Sequence, residues 1–523
     1  MPLLHGTQST LPAPGAAGKG DWHGRAVTTI DRSGLAPLIL LASPAAPGHN
    51  AAMTAFLLVV FDGLRPDMVR PDTTPHLARF AAAGMRFAHA RSVFPSETRV
   101  CTASIVTGCY PNRHGLVANR MPHPRDPRGS VDTGDIAVLR ALEDEIGAPI
   151  LDEPTLADRL AAADRGCAIF SAGTTGHVFV LNPRADANRQ LVLSAHGAVA
   201  SSALGRNMLA SLDPPPTTGS AIERTEWIAE VFRQKILPEP PDASILWLSE
   251  PDTTGHYGGL GSPAQWAGLR RADSAFGRIV ADWQAGPQRE RLQIAVASDH
   301  GHATISGRVS VAAALARYRE FADCVVLPGT SGGVLVPDSV PEKIASVARW
   351  LMHQDWCGSV FAPDLIDLPD GVLPRSALLS DHRRAAPVLF TLRTDSRTSA
   401  AGLPGTALYD GGLERGAGTH GGLSRAELRT VLLLGGARIR PGLSEFPAGI
   451  VDIAPTVLAL LGLPGAETMD GRVLGEAIEG LEEPTAARTS ETWEAAGGSY
   501  AQRLARLRLG EHVWLDEGGR ALP

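Results

Sequence analysis

The chain has 523 residues, 44% apolar and 20% charged, the proportions of a water-soluble folded protein with more than one minimal core. Its formal charge of -7 argues against a nucleic-acid polymer groove, which needs a basic surface, but leaves room for a small anionic substrate if metal ions supply local positive charge. No apolar run reaches about 18 residues, so no membrane span is expected. The five cysteines, odd in number and without a CxxC pair, speak against a disulfide framework or a thiolate zinc site.

Residues 1–52 are rich in Ala, Pro, Gly and Ser without periodicity, which predicts a poorly ordered extension. Its apolar stretch 35–43 is broken by Pro37 and lacks a basic segment at the terminus, so it is a weak secretory signal. Met53, just before the first strand pattern, is a candidate start. Residues 55–61 form a continuous apolar run, the pattern of a strand buried on both faces in a parallel sheet. The run ends in Asp62-Gly63, at the strand end where α/β proteins place ligands. Taken alone, Asp62 is equally a turn residue.

Thr74 and Pro75 start a helix that Gly84 ends, and a strand over 85–93 leads to Phe94-Pro95-Ser96-Glu97-Thr98. Residues 100–106 read as helical. Thr98 thus sits at or just before a helix N-terminus, where unpaired N–H groups favour a phosphoryl oxygen. A plain capping threonine is the alternative. Asn119 follows in a polar loop, where a turn role is the simple reading. Residues 121–150 read as surface loops and 182–220 as irregular. Within 121–240 such loops are expected to cover the pocket in part. Residues 221–237 read as helix.

Two more apolar strands repeat the pattern. Residues 243–248 run into Glu250-Pro251-Asp252-Thr253-Thr254-Gly255-His256, where Asp252 and His256 lie four apart in an expected loop and can turn toward one ion. Residues 292–298 run into Asp299-His300-Gly301-His302, an N/O pair suited to zinc, with His302 an unusual follower that reads as a support residue or plain surface. Residues 303–410 read as an inserted α+β unit. His420 lies in a glycine-rich loop, as a ligand or as flexible surface. Residues 430–434 read as a last core strand, and 481–523 as a tail of mixed helix and coil. The expected organisation is a catalytic core over 53–302 and 411–480, interrupted by the 303–410 insertion.

Asp62, Thr98, Asp252, His256, Asp299, His300 and His420 are weak signals singly. Five of them follow three apolar strands, which turns alone explain poorly. The segments Asp62-Gly63-Leu64-Arg65-Pro66-Asp67, Phe94 to Thr98, Thr107 to Gly115, Glu250 to His256, Ser298-Asp299-His300-Gly301 and Thr419-His420-Gly421 resemble, in order, the motifs of the alkaline phosphatase superfamily. The match is closest to its nucleotide pyrophosphatase/phosphodiesterase branch. The resemblance implies an α/β fold with a largely parallel central sheet sandwiched by helices and a smaller inserted α+β cap. It also implies two divalent metal ions, zinc by ligand type. One would be held by Asp252, His256 and His420, the other by Asp62, Asp299, His300 and the Thr98 oxygen. Asn119 would hold a phosphoryl oxygen.

The chemistry implied is attack by a metal-activated Thr98 on phosphorus, giving a phosphothreonine that water then cleaves. The substrate would be a small phosphate ester or nucleotide. Rival readings are a phosphonate C–P hydrolase, a phosphomonoesterase, or an inactive ligand-binding relative. Lysine is confined to Lys19, Lys235 and Lys343, away from the motifs, which counts against a lysine-lined phosphonate pocket. Cys101-Thr102-Ala103-Ser104-Ile105 lacks the arginine of the cysteine-nucleophile sulfatases. A cytoplasmic location is expected, with a periplasmic or secreted one as the alternative. Oligomeric state is not legible in the residues.

Overall fold

Three parallel strands with level ends define the molecule. The computed structural model describes residues 54–216, 221–364 and 367–521. The expected N-terminal extension, its weak signal and Met53 lie outside them. The central sheet has eight strands, named here in chain order: β1 (Ala55–Phe61), β2 (Met85–Arg91), β3 (Cys167–Ser171), β4 (Leu191–Ser194), β5 (Ala243–Leu248), β6 (Leu292–Ala297), β7 (Leu432–Gly435) and β8 (Gly442–Gly449). Their spatial order is β8-β2-β7-β6-β1-β5-β3-β4. Only β7 runs against its neighbours, so the sheet is largely parallel, as expected.

The apolar run of β1 is buried throughout because both of its faces are covered. Its alternating residues divide between two cores, with Phe56, Leu58 and Val60 on one face and Leu57, Val59 and Phe61 on the other. Helix α1 (Thr98–Thr107) packs Val100, Ile105 and Val106 on the first face. The long helix Pro263–Ala285 packs Leu269, Phe276 and Ile279 on the second, with Phe276 edge-on to Phe61 at 5.9 Å.

A five-stranded sheet built from segments between Val325 and Leu392 carries its own core under helix Pro341–Met352. It lies inside the segment read as an α+β insertion. Another small sheet joins the strand Ala303–Arg308 to Gly418–Thr419, with Ala303 opposite Thr419.

Three expectations need correction. Residues 121–150 are not only loops: Arg120–Pro122 pairs with Ser130–Asp132, and helix Ile136–Ile146 follows, capped by the Asp135 carboxylate. Residues 182–216 are not irregular, since they contain edge strand β4 and helix Ala203–Leu209. The tail is not helix and coil. It is a three-stranded antiparallel sheet, Arg488–Gly497, Tyr500–Leu509 and His512–Arg520. Burial alternates along Tyr500, Gln502, Leu504 and Arg506, then changes phase at the register shift between Ala505 and Arg506 so that Leu507 and Leu509 are buried, and this two-residue period decides that outcome. The tail braces the segment ahead of Thr98: Leu504 and Leu515 share a core with Phe94, and Asp516 pairs with the buried Arg91 at 2.5 Å.

Candidate active site

The register aligns Phe61 with Leu248 and Val60 with Ala297, so β5, β1 and β6 end at the same level. The residues just beyond them therefore emerge side by side on one sheet edge. Asp62 follows β1, Asp299 and His300 follow β6, and Asp252 opens helix α2 (Asp252–Gly258) after β5. The expected loop at Asp252 and His256 is this helix, which places the pair one turn apart on one face.

Thr98 is the first residue of α1, with Glu97 as N-cap, so it is not the capping residue. Its Oγ1 lies 3.2 Å from His300 Nε2. His300 Nε2 is also 3.2 Å from Asp299 Oδ2 and 3.6 Å from Asp62 Oδ1. Asp252 Oδ1 lies 3.2 Å from His256 Nε2 and 3.6 Å from His420 Nε2, and these two ring nitrogens are 3.1 Å apart. All seven residues picked from the sequence as ligands are thus brought together. Asn119 joins them at the α1 N-terminus, its Oδ1 accepting from Arg99 N at 3.1 Å and its own N donating to the Glu97 carboxylate. Its Nδ2 hydrogen-bonds no described residue.

The donor chemistry has one sign. His256, His300 and His420 each direct Nδ1 at a backbone carbonyl, of Gly418 at 2.7 Å, Gly301 at 2.9 Å and Ser96 at 2.8 Å. A carbonyl only accepts, so each Nδ1 carries the proton, and each ring in its neutral form turns an Nε2 lone pair inward. One oxygen of Asp62 and one of Asp299 are likewise held from outside: Trp247 Nε1 donates to Asp62 Oδ2 at 2.9 Å and Gly63 N to Asp299 Oδ1 at 3.0 Å. The inward oxygens, Asp62 Oδ1, Asp252 Oδ1 and Asp299 Oδ2, are buried without a hydrogen-bond partner. Lone pairs facing lone pairs in a buried site call for cations between them. Two donor groups could hold one each, Asp252/His256/His302/His420 and Asp62/Asp252/His300, with donor atoms within 4.8 Å of one another in each group. A tetrahedral ion with bonds of about 2.0–2.1 Å has ligands about 3.3 Å apart, which the separations above match.

The shifts of Asp62, Asp299, His300 and His420 follow from this crowding, whereas Asp252 and His256 hold each other in their charged forms in the metal-free protein. Burial, reinforced by the charge of Asp252, pushes the Asp299 carboxyl up to about 8. Burial and then Asp299 and Asp252 push Asp62 well above the usual carboxylate range. Burial pushes His300 down to about 3, and burial with the neighbouring His300 takes His420 well below its ordinary value. The His300 and His420 rings are stacked at 3.6 Å, where two imidazolium charges would repel. Burial would raise Asp252, but His256 and His302 outweigh it and hold the carboxyl well below its ordinary range.

The raised Asp299 value has a consequence for the stripped protein. A carboxyl whose pKa is higher in the folded state stabilises the fold below its unfolded pKa, near 4, and that contribution is lost as pH rises through about 8. A divalent ion needs the carboxylate deprotonated. The rise in melting temperature on adding such an ion to chelator-treated protein is therefore expected to grow from pH 6 to pH 8, with affinity gaining roughly tenfold per unit. Melting curves with and without the ion check this, and an increment independent of pH would contradict it.

Two neighbours, Trp247 and Glu97, carried no assigned role in the sequence, and a third, His302, read as a support residue or plain surface. Trp247 is the lone aromatic in an otherwise small and aliphatic strand and anchors Asp62. Glu97 ties Asn119 to the α1 start and is raised by burial. His302 is fully buried beside Asp252 rather than at the surface. Cys101 is buried on α1 and burial pushes its thiol well above the ordinary value, which disfavours a thiolate nucleophile.

Comparison with known proteins agrees with this geometry. Residues 56–395 match the family model described as type I phosphodiesterase / nucleotide pyrophosphatase. The chain is 27% identical over 246 residues to the bis(5'-adenosyl)-triphosphatase ENPP4 of Homo sapiens, covering 47% of each chain. It is 25% identical over 307 residues to the Xenopus laevis enzyme of that name, covering 57% of this chain and 56% of the relative. The chain thus spans about half the length of the curated relatives it matches. The fold is that of murine ectonucleotide pyrophosphatase/phosphodiesterase 5, solved in complex with AMP, at a TM-score of 0.54 and 19% identity over 79% of this chain and 96% of that one. By its family model and its ordered motifs, the chain belongs to the type I phosphodiesterase/nucleotide pyrophosphatase family.

Proposed function

We propose that the protein is a metal-dependent phosphodiesterase or nucleotide pyrophosphatase with Thr98 as nucleophile. The observation that carries this reading is the ring of inward, unpartnered oxygens and Nε2 lone pairs around Thr98 Oγ1, 3.2 Å from His300 Nε2. Asp252, His256 and His420 would hold one zinc ion, and Asp62, Asp299, His300 and Thr98 the other. When bound, such a pair of ions favours the threonine alkoxide and offsets the charge of the phosphoryl oxygens.

The chain's own residues do the rest. Thr98 Oγ1 attacks phosphorus as the bond to the leaving oxygen breaks, and water later cleaves the phosphothreonine and restores the hydroxyl. The Asn119 Nδ2 donors, held in place through Arg99 N and Glu97, orient an equatorial phosphoryl oxygen. A pocket beside Glu97 and Asn119, walled by Phe94, Val117, Leu327, Ala386 and Leu389, would take the organic part of the substrate. Its apolar walls suit a nucleobase or another flat apolar group. AMP in the murine structure and the adenosyl polyphosphates named for the relatives favour a nucleotide. No helix among the described residues is long and apolar enough to cross a membrane. The ectonucleotidase names favour the periplasmic or secreted alternative over the cytoplasm.

Zinc-loaded protein is expected to hydrolyse bis-p-nitrophenyl phosphate at least about tenfold faster in kcat/KM than p-nitrophenyl phosphate, and to leave phosphonoacetate intact. Metal content measured on the same sample ties the rate to the ions. Faster monoester cleavage would shift the reading to a phosphomonoesterase, and release of phosphate from phosphonoacetate to a C–P hydrolase. No turnover of any of the three would favour the inactive relative.

A further inference from the structure

We propose that His302 is a further protein ligand of the ion assigned to Asp252, His256 and His420, giving that ion three imidazoles and a carboxylate. The inference rests on the reading that this group holds a metal. Pairing of Ala303 with Thr419 brings residue 302 beside His420. The His302 side chain is fully buried, with its ring 5.3 Å from those of both His256 and His420.

Its bonding repeats that of the other three histidines. Nδ1 lies 3.0 Å from Gly63 O and must donate to it, so the neutral ring turns the Nε2 lone pair inward. That Nε2 is 3.0 Å from Asp252 Oδ1, and both atoms are buried without a hydrogen-bond partner. A purely structural histidine could satisfy Asp252 as an imidazolium. That arrangement leaves the Nε2 lone pair of a neutral His256 facing the same oxygen from 3.2 Å. One shared dication satisfies all of these atoms.

The backbone also makes room for the ring. A Cβ on Gly63, at φ +68°, would lie 2.3 Å from His302 Cε1, and one on Gly418 2.9 Å from His302 Cδ2. Three imidazoles and a carboxylate fill the four positions of a tetrahedral ion. They also bias the site toward zinc, cobalt or nickel and away from magnesium or calcium. Contact of this ion with substrate would then require a fifth position, whereas the Asp62/Asp299/His300 ion keeps Thr98 as its exchangeable neighbour.

The test is zinc K-edge absorption on the full-length protein loaded with zinc alone, which counts imidazoles. With His256, His302, His420 and His300 all bound, the wild type is expected to show two imidazoles per zinc at two zinc ions per chain. His302→Ala should show one and a half and lose affinity for one ion by roughly a hundredfold in chelator competition. His302→Gln, which keeps a hydrogen-bonding group in the same place, should not restore the count. Two bound ions with one and a half imidazoles each in the wild type overturn the His302 assignment and leave the two-metal reading standing. A wild type that takes up no zinc overturns both. The wild-type count decides the matter even if neither variant folds.

Discussion

Thr98→Ala is expected to lower kcat toward a phosphodiester by on the order of 10⁴-fold while zinc content and fold are kept, because it deletes the nucleophile and little else. Thr98 is half-buried at the first position of α1, and no hydrophobic core includes it. Its backbone carbonyl, which accepts from Thr102 Oγ1 at 2.6 Å, is untouched by the change. The stability cost is expected to stay within about 0.5 kcal/mol. Asp62, Asp299 and His300 still offer their donors to an ion, so metal loss cannot account for a fall in rate. Thr98→Ser keeps the hydroxyl and should recover most of the activity. Acid quenching during turnover, followed by peptide mass spectrometry, should find phosphate on Thr98 in the wild type and none in the alanine variant. An alanine variant within tenfold of wild type would remove Thr98 from the chemistry.

The strand ends were legible because burial on both faces forces a continuous apolar run, and a carboxylate breaking such a run has few uses. The β1, β5 and β6 runs with Asp62, Asp252 and Asp299 behind them are of this kind. Their level register, which makes three separate signals one site, is a property of pairing that no single segment displays. The helix at Asp252 was hidden by two glycines and two threonines in seven residues, a composition of low helix propensity. Tertiary contacts override it: Gln265 Nε2 donates to Pro251 O, and Gly255 lies against the Gln265 side chain. Strand β4 is four residues long, too short for periodicity to speak, and only its parallel pairing with β3 defines it. The local sequence marked His302 as unusual but could not choose between support and surface, since its burial comes from Gly63 and Gly418, hundreds of residues apart in the chain.

Asp252 differs from every other residue of the site in belonging to both donor groups: besides serving the ion of His256 and His420, its Oδ1 lies within 4.8 Å of the Asp62 and His300 donors, so its charge also faces the second ion. Its Oδ1 faces the Nε2 atoms of His256, His302 and His420 at 3.2, 3.0 and 3.6 Å. Asp252→Asn removes the anionic donor and can set an amide N–H₂ among lone pairs, a donor where a cation is needed. Both ions should weaken together, leaving well under one zinc per chain after gel filtration and lowering activity by at least about 10³-fold. His256→Ala belongs to one group only. It should lose one ion and leave the Asp62/Asp299/His300 ion in place, at about one zinc per chain. The same contrast extends to titration. Burial would lower His256, but Asp252 and then the Gly418 carbonyl together outweigh it, so the asparagine variant should drop the His256 pKa in the stripped protein. A ring-proton titration followed by NMR reads that shift without any metal. If Asp252→Asn instead keeps one tightly bound zinc, the Asp252 charge does not support the second ion and the two donor groups are independent.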